Sequence, residues 1–400
     1  MIGRVIFVLT AACQLAIGSP LARAQDAPPA AAGDDAAAAT PADDGFWDRF
    51  KDPVDGRFDI TASGGGGSGL LPLVIPFNDP AIGAGAVAGV VYFHPEDAPD
   101  GAAGTAGNAP PTMSFAGAAR SDNDTWVAAG GHSAVLRQGR VRYLGIVGTA
   151  SVNLDFYGIG EDPVLSENPL SFNLEGDLLL QQAQFQLGES GLAAGFRFTF
   201  LKANILFDAA PGLEIDSGDT NDAGLGVFAS RDTRDTTFTP SSGGSLRGAL
   251  SIFSKSLGGD FDYAKFALSS RTYFPLRDDR LILGVRAEYD YVGGDAPFYA
   301  LNWVTLRGVP AFRYLGNHAV VVEVEPRWKI DERWSVVGFA GFGRAARDAS
   351  DLDEAQGAYN YGFGFRYLLA RSLGLGAGID LARGPEESVI MLTFGTAWGM

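Results

Sequence analysis

The stretch 359–369, YNYGFGFRYLL, alternates without a break. Its odd positions are Tyr359, Tyr361, Phe363, Phe365, Tyr367 and Leu369, and their even neighbours include Asn360, Gly362, Gly364 and Arg366. A period of two places alternate residues on opposite faces of a strand. One face here is almost all rings; the other carries glycine, amide and guanidinium. The pattern recurs along the chain. Between Leu281 and Tyr291 the odd residues are Leu281, Leu283, Val285, Ala287, Tyr289 and Tyr291, and the even ones are Ile282, Gly284, Arg286, Glu288 and Asp290. Over 320–329, Val320, Val322, Val324 and Trp328 oppose Glu323, Glu325, Arg327 and Lys329. The last segment, 388–398, puts Ile390, Leu392, Phe394 and Trp398 on one side.

A soluble sandwich also alternates, so segment length and the make-up of each face decide. These segments run about ten to fifteen residues, against the five or six usual in soluble strands. Their apolar faces carry rings near the segment ends, as interfacial girdles do. Their polar faces mix Arg, Glu, Asp and Gly, which describes a wet, charged lumen and not a second core. After the N-terminal region no apolar run reaches the ~18 residues of a spanning helix. The fold class expected is therefore all-β, a transmembrane antiparallel β-barrel. Strands are expected at 70–77, 82–95, 112–120, 124–137, 140–155, 171–187, 193–206, 223–232, 245–257, 260–275, 280–292, 317–329, 334–345, 357–370, 373–383 and 388–398. That makes about sixteen, an even number, as bacterial single-chain barrels require.

The N-terminus fixes the expected compartment. Arg4 precedes the apolar run VIFVLTAACQLAIG, and Ala22-Arg23-Ala24 precedes Gln25. A basic head, a short apolar stretch and an A-x-A site read as a secretory signal peptide over 1–24. The only cysteine, Cys13, falls inside it, so disulfides and thiolate metal sites are not expected in the mature chain. Residues 25–45 are an Ala/Pro/Asp linker without periodicity. Residues 46–69 form an N-terminal periplasmic segment, in which FWDRFKD (46–52) makes one amphipathic turn or lies along the membrane surface, and 70–400 form the outer-membrane barrel. The formal charge is −17, and losing Arg4 and Arg23 takes it to −19. Such a chain does not neutralise phosphates, which excludes nucleic acid as a partner.

With the N-terminus in the periplasm, connections after odd strands face outward. The long ones at 156–170, 207–222, 293–316 and 346–356 fit this, as do the tight inner turns RQGR, GESG, LRDD, IDER and ARS. Two connections break the rule. HPEDAPDGAAGTAGNAPP and DTRDTTFTPSSGG fall on the inner side yet are long.

Few motifs suggest chemistry. GGGGSG at 64–69 has dinucleotide-loop spacing, but LLPLVIPF follows, with Pro72 and Pro76 and no helix signal, so it reads as a connector. His94, His132 and His318 share no ligand spacing, and no metal, cofactor or catalytic residue is expected. A hydrolase would need a histidine beside a serine or carboxylate, which one sequence cannot show. SRDTRDTTFTPSSGGSLRG (230–248) reads as a solvated hairpin with weak local ion pairs.

Several stretches together resemble the barrel of BamA/TamA-type outer-membrane proteins, the bacterial surface antigen family. They are DTRDTTFTPSSGG, the LRG of 306–308 in the largest outer loop, and a closing strand that ends in aromatic residues. KDPVDGRFDI…LLPLVIPFNDPAIGAGAVAGVVYF and GIDLARGPEES resemble the short members that lack periplasmic POTRA domains. The resemblance implies a large outer loop folded into the lumen, its Arg-Gly motif packed on the inner wall against an acidic residue. Arg307 and Gly308 match that motif. Face assignment offers Glu323 and Glu325 as the arginine's partners, with Glu288 and Asp380 as alternatives. The opposing reading has Arg307 cap an exposed loop. One departure is FAGFG, with Gly341 where the family often carries Asp; another is the Gly399-Met400 tail after Trp398.

The resemblance also implies a weak lateral seam between the first and last strands. Proline removes a ladder donor and belongs at edges. Pro72 and Pro76 on the first strand, with Phe394 and Trp398 on the last, are the expected seam residues. Expected function is membrane-protein or lipid remodelling through that seam. Outer-membrane lipid and client outer-membrane proteins or lipids would be the partners, and the barrel a monomer. The rival reading is a plugged or passive pore.

Overall fold

The computed structural model describes residues 51–52, 54–59, 69–94, 112–160, 163–188, 190–210, 213–216, 218–277, 279–371 and 374–398. The expected signal peptide and the 25–45 linker lie outside the described residues. Sixteen strands form one antiparallel barrel sheet: β1 (Gly69–Asp79), β2 (Gly83–Phe93), β3 (Met113–Ser121), β4 (Trp126–Leu136), β5 (Val141–Phe156), β6 (Leu170–Gln186), β7 (Leu192–Ala210) and β8 (Thr220–Asp232) make its first half. The second half is β9 (Gly243–Phe253), β10 (Tyr263–Arg277), β11 (Leu281–Gly294), β12 (His318–Lys329), β13 (Trp334–Ala346), β14 (Gly357–Ala370), β15 (Leu375–Arg383) and β16 (Ser388–Phe394). A seventeenth segment, Leu213–Asp216, pairs antiparallel with the end of β7. Each strand pairs with the next in sequence. Among the described residues no ladder joins β16 to β1.

The alternation seen in the sequence becomes two unlike surfaces. On β14, Tyr359, Tyr361, Phe363 and Phe365 are about half exposed, while Asn360 and Arg366 are buried. On β12, Val322 and Val324 point out, whereas Glu323 is fully buried and Glu325 nearly so. Charges inside and rings outside invert a soluble protein. Only a medium that carries no water against the outer face makes this stable. Exposed Leu70, Phe196, Val227, Phe266 and Ile379 extend the apolar surface around the sheet.

One end of the barrel, the short-turn end, carries the tight connections after β4, β6, β10, β12 and β14 together with the longer 233–242; the other end mixes the short connections 80–82, 122–125 and 384–387 with the longer ones after β5, β11 and β13. Two expectations need correction at the short-turn end. The connection 233–242 is not a solvated hairpin. Arg234 grips Asp232 with both side chains buried, Phe238 is buried beside Gly395, and Thr239 Oγ1 donates to Gly374 O at 2.6 Å. Arg327, on the inner face of β12, donates to Pro240 O. The segment thus reaches across the barrel mouth, which accounts for its length on the side of tight turns. The second correction concerns the last strand. It stops at Phe394, where Gly395 adopts φ +71°, and the chain turns inward. Trp398 packs on Tyr273 and Ile282 over Gly284, inside the barrel and away from the seam edge. A π-face on a short apolar floor replaces the expected lipid contact.

Most of the expected turn at 46–52 lies outside the described residues, which begin at Lys51. A bridge between Lys51 and Phe58 closes a small loop that presents three carboxylates to two arginines of the short turns. Arg333, with no exposed side-chain surface, meets Asp52, Asp55 (2.6 Å) and Asp59 (2.9 Å). Arg371 meets Asp52 at 2.8 Å and Asp55 at 2.6 Å. Arg57 pairs with Asp331, and Tyr367 donates to Phe58 O. Hydrogen bonding from Arg333 holds Asp55 well below the usual carboxylate range. Backbone N–H groups of Trp334 and Arg333 lower Asp331 to about 2. Folded values below the ordinary 3.8 mean stabilisation that is complete above 3.8 and lost as pH falls through the folded values. Proteolysis of the 51–59 segment should therefore stay slow at pH 4 and become fast near pH 2, and Arg333→Ala should make it fast at neutral pH.

Candidate functional site

The connection between β11 and β12, residues 295–317, doubles back on itself. Asn302–Trp303 pairs with Leu315–Gly316, and Val304 N donates to Tyr314 O at 3.1 Å. One flank is apolar: Tyr299, Leu301, Trp303, Phe312 and Leu315 pack against inner-face residues of β5–β7, among them Val152, Phe172 and Ile205. Phe312 is fully buried, stacks on Trp303 at 5.0 Å and holds φ +64°, uncommon for an aromatic residue. The other flank, Val304, Leu306 and Val309, packs on Val321, Ala345 and Ala358 of β12–β14. The connection therefore touches opposite inner walls and crosses the lumen between them.

Its tip holds Arg307. Nε donates to Glu323 Oε1 at 2.8 Å, and Nη1 to Glu325 Oε2 at 2.8 Å and Asp380 Oδ2 at 3.1 Å. The guanidinium lies 3.6 Å from the centroid of the Phe339 ring. Asn360 Nδ2 donates both to Glu323 (3.0 Å) and back to Arg307 O (3.1 Å), tying the loop backbone to β14. Further cations balance the acids. Arg366 holds Asp380 at 2.5 and 2.9 Å, and Arg286 approaches Glu323 at 3.4 Å while binding Glu288 and Thr305. Of the four carboxylates offered by face assignment, Glu323, Glu325 and Asp380 touch Arg307. Glu288 instead serves Arg286 and Arg271. A cation so enclosed persists only when its neighbours are paired and hydrogen-bonded.

Gly308 has φ +76°, and a Cβ there would stand 3.2 Å from Ala382 and 3.4 Å from Gly384 N. Glycine thus serves both the turn and the close approach to β15. Gly341 explains the missing aspartate: a Cβ would come within 2.6 Å of Asn360, 2.8 Å of Leu306 and 2.9 Å of Glu323. The loop's own leucine and the Glu323 stem fill that space. Arg313 and Tyr314, also in the loop, both donate to Glu386 of the β15–β16 connection at 2.8 Å. Phe339, buried on the inner face of β13, carried no sequence signal as a partner.

At the seam, β1 is eleven residues long and β16 seven. Pro72 and Pro76 sit on the outward face of β1, whose register with β2 runs through both without a shift, as expected when the missing donors belong to the free edge. Asn78 Nδ2 reaches Ile390 O at 2.9 Å. Phe394 ends β16. Elsewhere, the structure joins two histidines that sequence spacing left apart. His94 Nε2 and His132 Nδ1 each lie 2.9 Å from Ser114 Oγ, on the outward face of β2–β4. Neither ring has a carboxylate partner among the described residues.

Residues 171–303, or 133 of 400, match the Omp85 superfamily domain. Among solved structures the chain is similar to BamA from Haemophilus ducreyi lacking POTRA domains 1–3, with TM-score 0.55, 11% identity, and coverage of 82% of this chain and 70% of that one. It is similar also to CdiB from Escherichia coli, with TM-score 0.56, 11% identity, and coverage of 80% and 61%. The chain thus spans less than two thirds of CdiB. At such identities the likeness is one of fold. No curated protein matches the chain by sequence.

Arg307→Ala leaves buried carboxylates without their central cation, a loss of about 3–5 kcal/mol for a broken buried pair. The expected outcome is a barrel that unfolds at lower urea and a 295–317 connection that proteases now cut. Gly341→Asp, which restores the family's carboxylate, should displace the loop in the same assay and not strengthen it.

Proposed function

We propose that this outer-membrane β-barrel, which carries an Omp85 superfamily domain, works through its unsealed seam, parting β1 from β16 to remodel the surrounding bilayer or to admit a client strand. The absence of a ladder between these two strands carries the reading. Backbone donors and acceptors left at a sheet edge in lipid invite either re-pairing or another strand. Two prolines on β1 and the shortness of β16 weaken re-pairing. On this reading the short-turn end, with the docked 51–59 segment, faces the periplasm. The lumen-crossing loop favours a low-conductance barrel over an open pore, which keeps solutes in while the wall parts.

The test is a lock. The only cysteine of the natural sequence is Cys13, within the expected signal peptide, so an added pair reacts alone. Asn78→Cys with Ile390→Cys in vesicle-reconstituted protein should form a disulfide. Phospholipid scrambling and insertion of an unfolded outer-membrane barrel should then fall to the level of empty vesicles and return with reductant. Full activity in the oxidised, locked barrel would end the seam reading. If neither activity occurs in the unlocked barrel, while deletion of 295–317 raises conductance, a plugged pore is the function.

A further inference from the structure

The inner wall of β5–β9 holds a second group of arginines, and it is built unlike the one around Arg307. Arg197 of β7 donates to Gln182 Oε1 through Nε (3.1 Å) and Nη2 (2.7 Å). Arg247 of β9 reaches the same oxygen at 3.5 Å, and its guanidinium lies 3.8 Å from the centroid of the Phe228 ring. Arg142 of β5 stands opposite Gln184 in the ladder, beside Gln182 on the same face. It is only 9% exposed, and its Nε and Nη1 are buried with no hydrogen-bond partner.

Neither Arg197 nor Arg247 meets a carboxylate among the described residues, and Arg142 feels the charge of Asp232 without a hydrogen bond from its Nε or Nη1. The nearby acids are engaged elsewhere. Asp232 is held on both oxygens by Arg234, and Glu288 is shared by Arg271 and Arg286. A chain of net charge −17 has carboxylates to spare, so two guanidinia on one amide oxygen, with a third beside them whose Nε and Nη1 are unpartnered, are not a by-product of composition. Around Arg307 the same fold sets three acids among three arginines, Arg286, Arg307 and Arg366. Here it supplies one neutral amide oxygen to two, which orients the planar forks without cancelling their charge. Arg142 lies one residue past the start of β5, at the short-turn end.

Planar forks with free N–H groups fit the tetrahedral oxygens of phosphate, which accept several such donors at once. We propose that this part of the lumen is a binding site for a phosphorylated anion, held between Arg142, Arg197 and Arg247 with Gln182 fixing the last two. The chemistry is shared by a phospholipid headgroup and by a soluble pyrophosphate, and the experiment separates them.

Purified protein in neutral detergent micelles is titrated calorimetrically with pyrophosphate in one arm and with dihexanoyl phosphatidic acid in the other. Saturable one-to-one binding is expected, weakened roughly tenfold or more in the Arg142→Gln/Arg247→Gln variant as charge-assisted hydrogen bonds are lost. Binding in the first arm alone assigns a soluble phosphate; binding in the second alone assigns a headgroup; both assign the phosphate itself. Because the double variant could misfold, phenylglyoxal modification of the wild-type protein supplies a second reading. The bound probe should protect Arg142 and Arg247, while exposed Arg137 stays reactive. No binding in either arm overturns the proposal. So does binding that leaves all three arginines as reactive as before, or that the double variant retains in full.

Discussion

A backbone group that faces a bilayer has nowhere to find a hydrogen bond except in protein. Every strand boundary in this barrel meets that demand with a continuous antiparallel ladder, save one. The whole shape follows from it. Outward rings, inward charges, long strands and an even count are what a closed ladder in lipid requires. The boundary between β1 and β16 is where, among the described residues, the requirement lapses, and there the Asn78 side-chain amide donates to a main-chain carbonyl.

The lumen solves the opposite problem. Water and charge are admitted there, yet a loop of two apolar flanks fills one level of it. Arg307 holds that loop by a charge balance distributed over β11, β12, β14 and β15, with Phe339 of β13 beneath the guanidinium. Removal of any one partner leaves the others buried with the wrong sum. The apolar contacts supply affinity for the lumen, and the charges supply position, since a guanidinium with three carboxylates has one place to sit.

How much of this the sequence showed depends on the range of each signal. Alternation is local, and it placed sixteen strands to within a few residues and assigned Glu323, Glu325 and Asp380 inward. Which inward residues meet is set by the curvature of the sheet. Asp380 is seventy-three residues from Arg307 and lies beyond three intervening strands. For the same reason Ser114 between two histidines, the arginines about Gln182 and the docking of Asp52, Asp55 and Asp59 had no signature in spacing. Phe394 and Trp398 looked alike as alternating rings, but Gly395 turns the chain between them, and one glycine is too weak a mark to end a strand on paper. The 233–242 segment was visible as an anomaly of length, without the reason for it.

The small carboxylate loop near the N-terminus has a mechanical corollary. It is fastened to Arg333 and Arg371, turns that belong to β12–β15, yet the chain that leaves it becomes β1 at Gly69. From Asp59 to Gly69 the covalent path is ten residues, and at ~3.3–3.6 Å each it spans at most about 35 Å. The polypeptide is therefore a leash that joins both sides of the gap. The first strand cannot stray from the turns around Arg333 and Arg371 by more than that length.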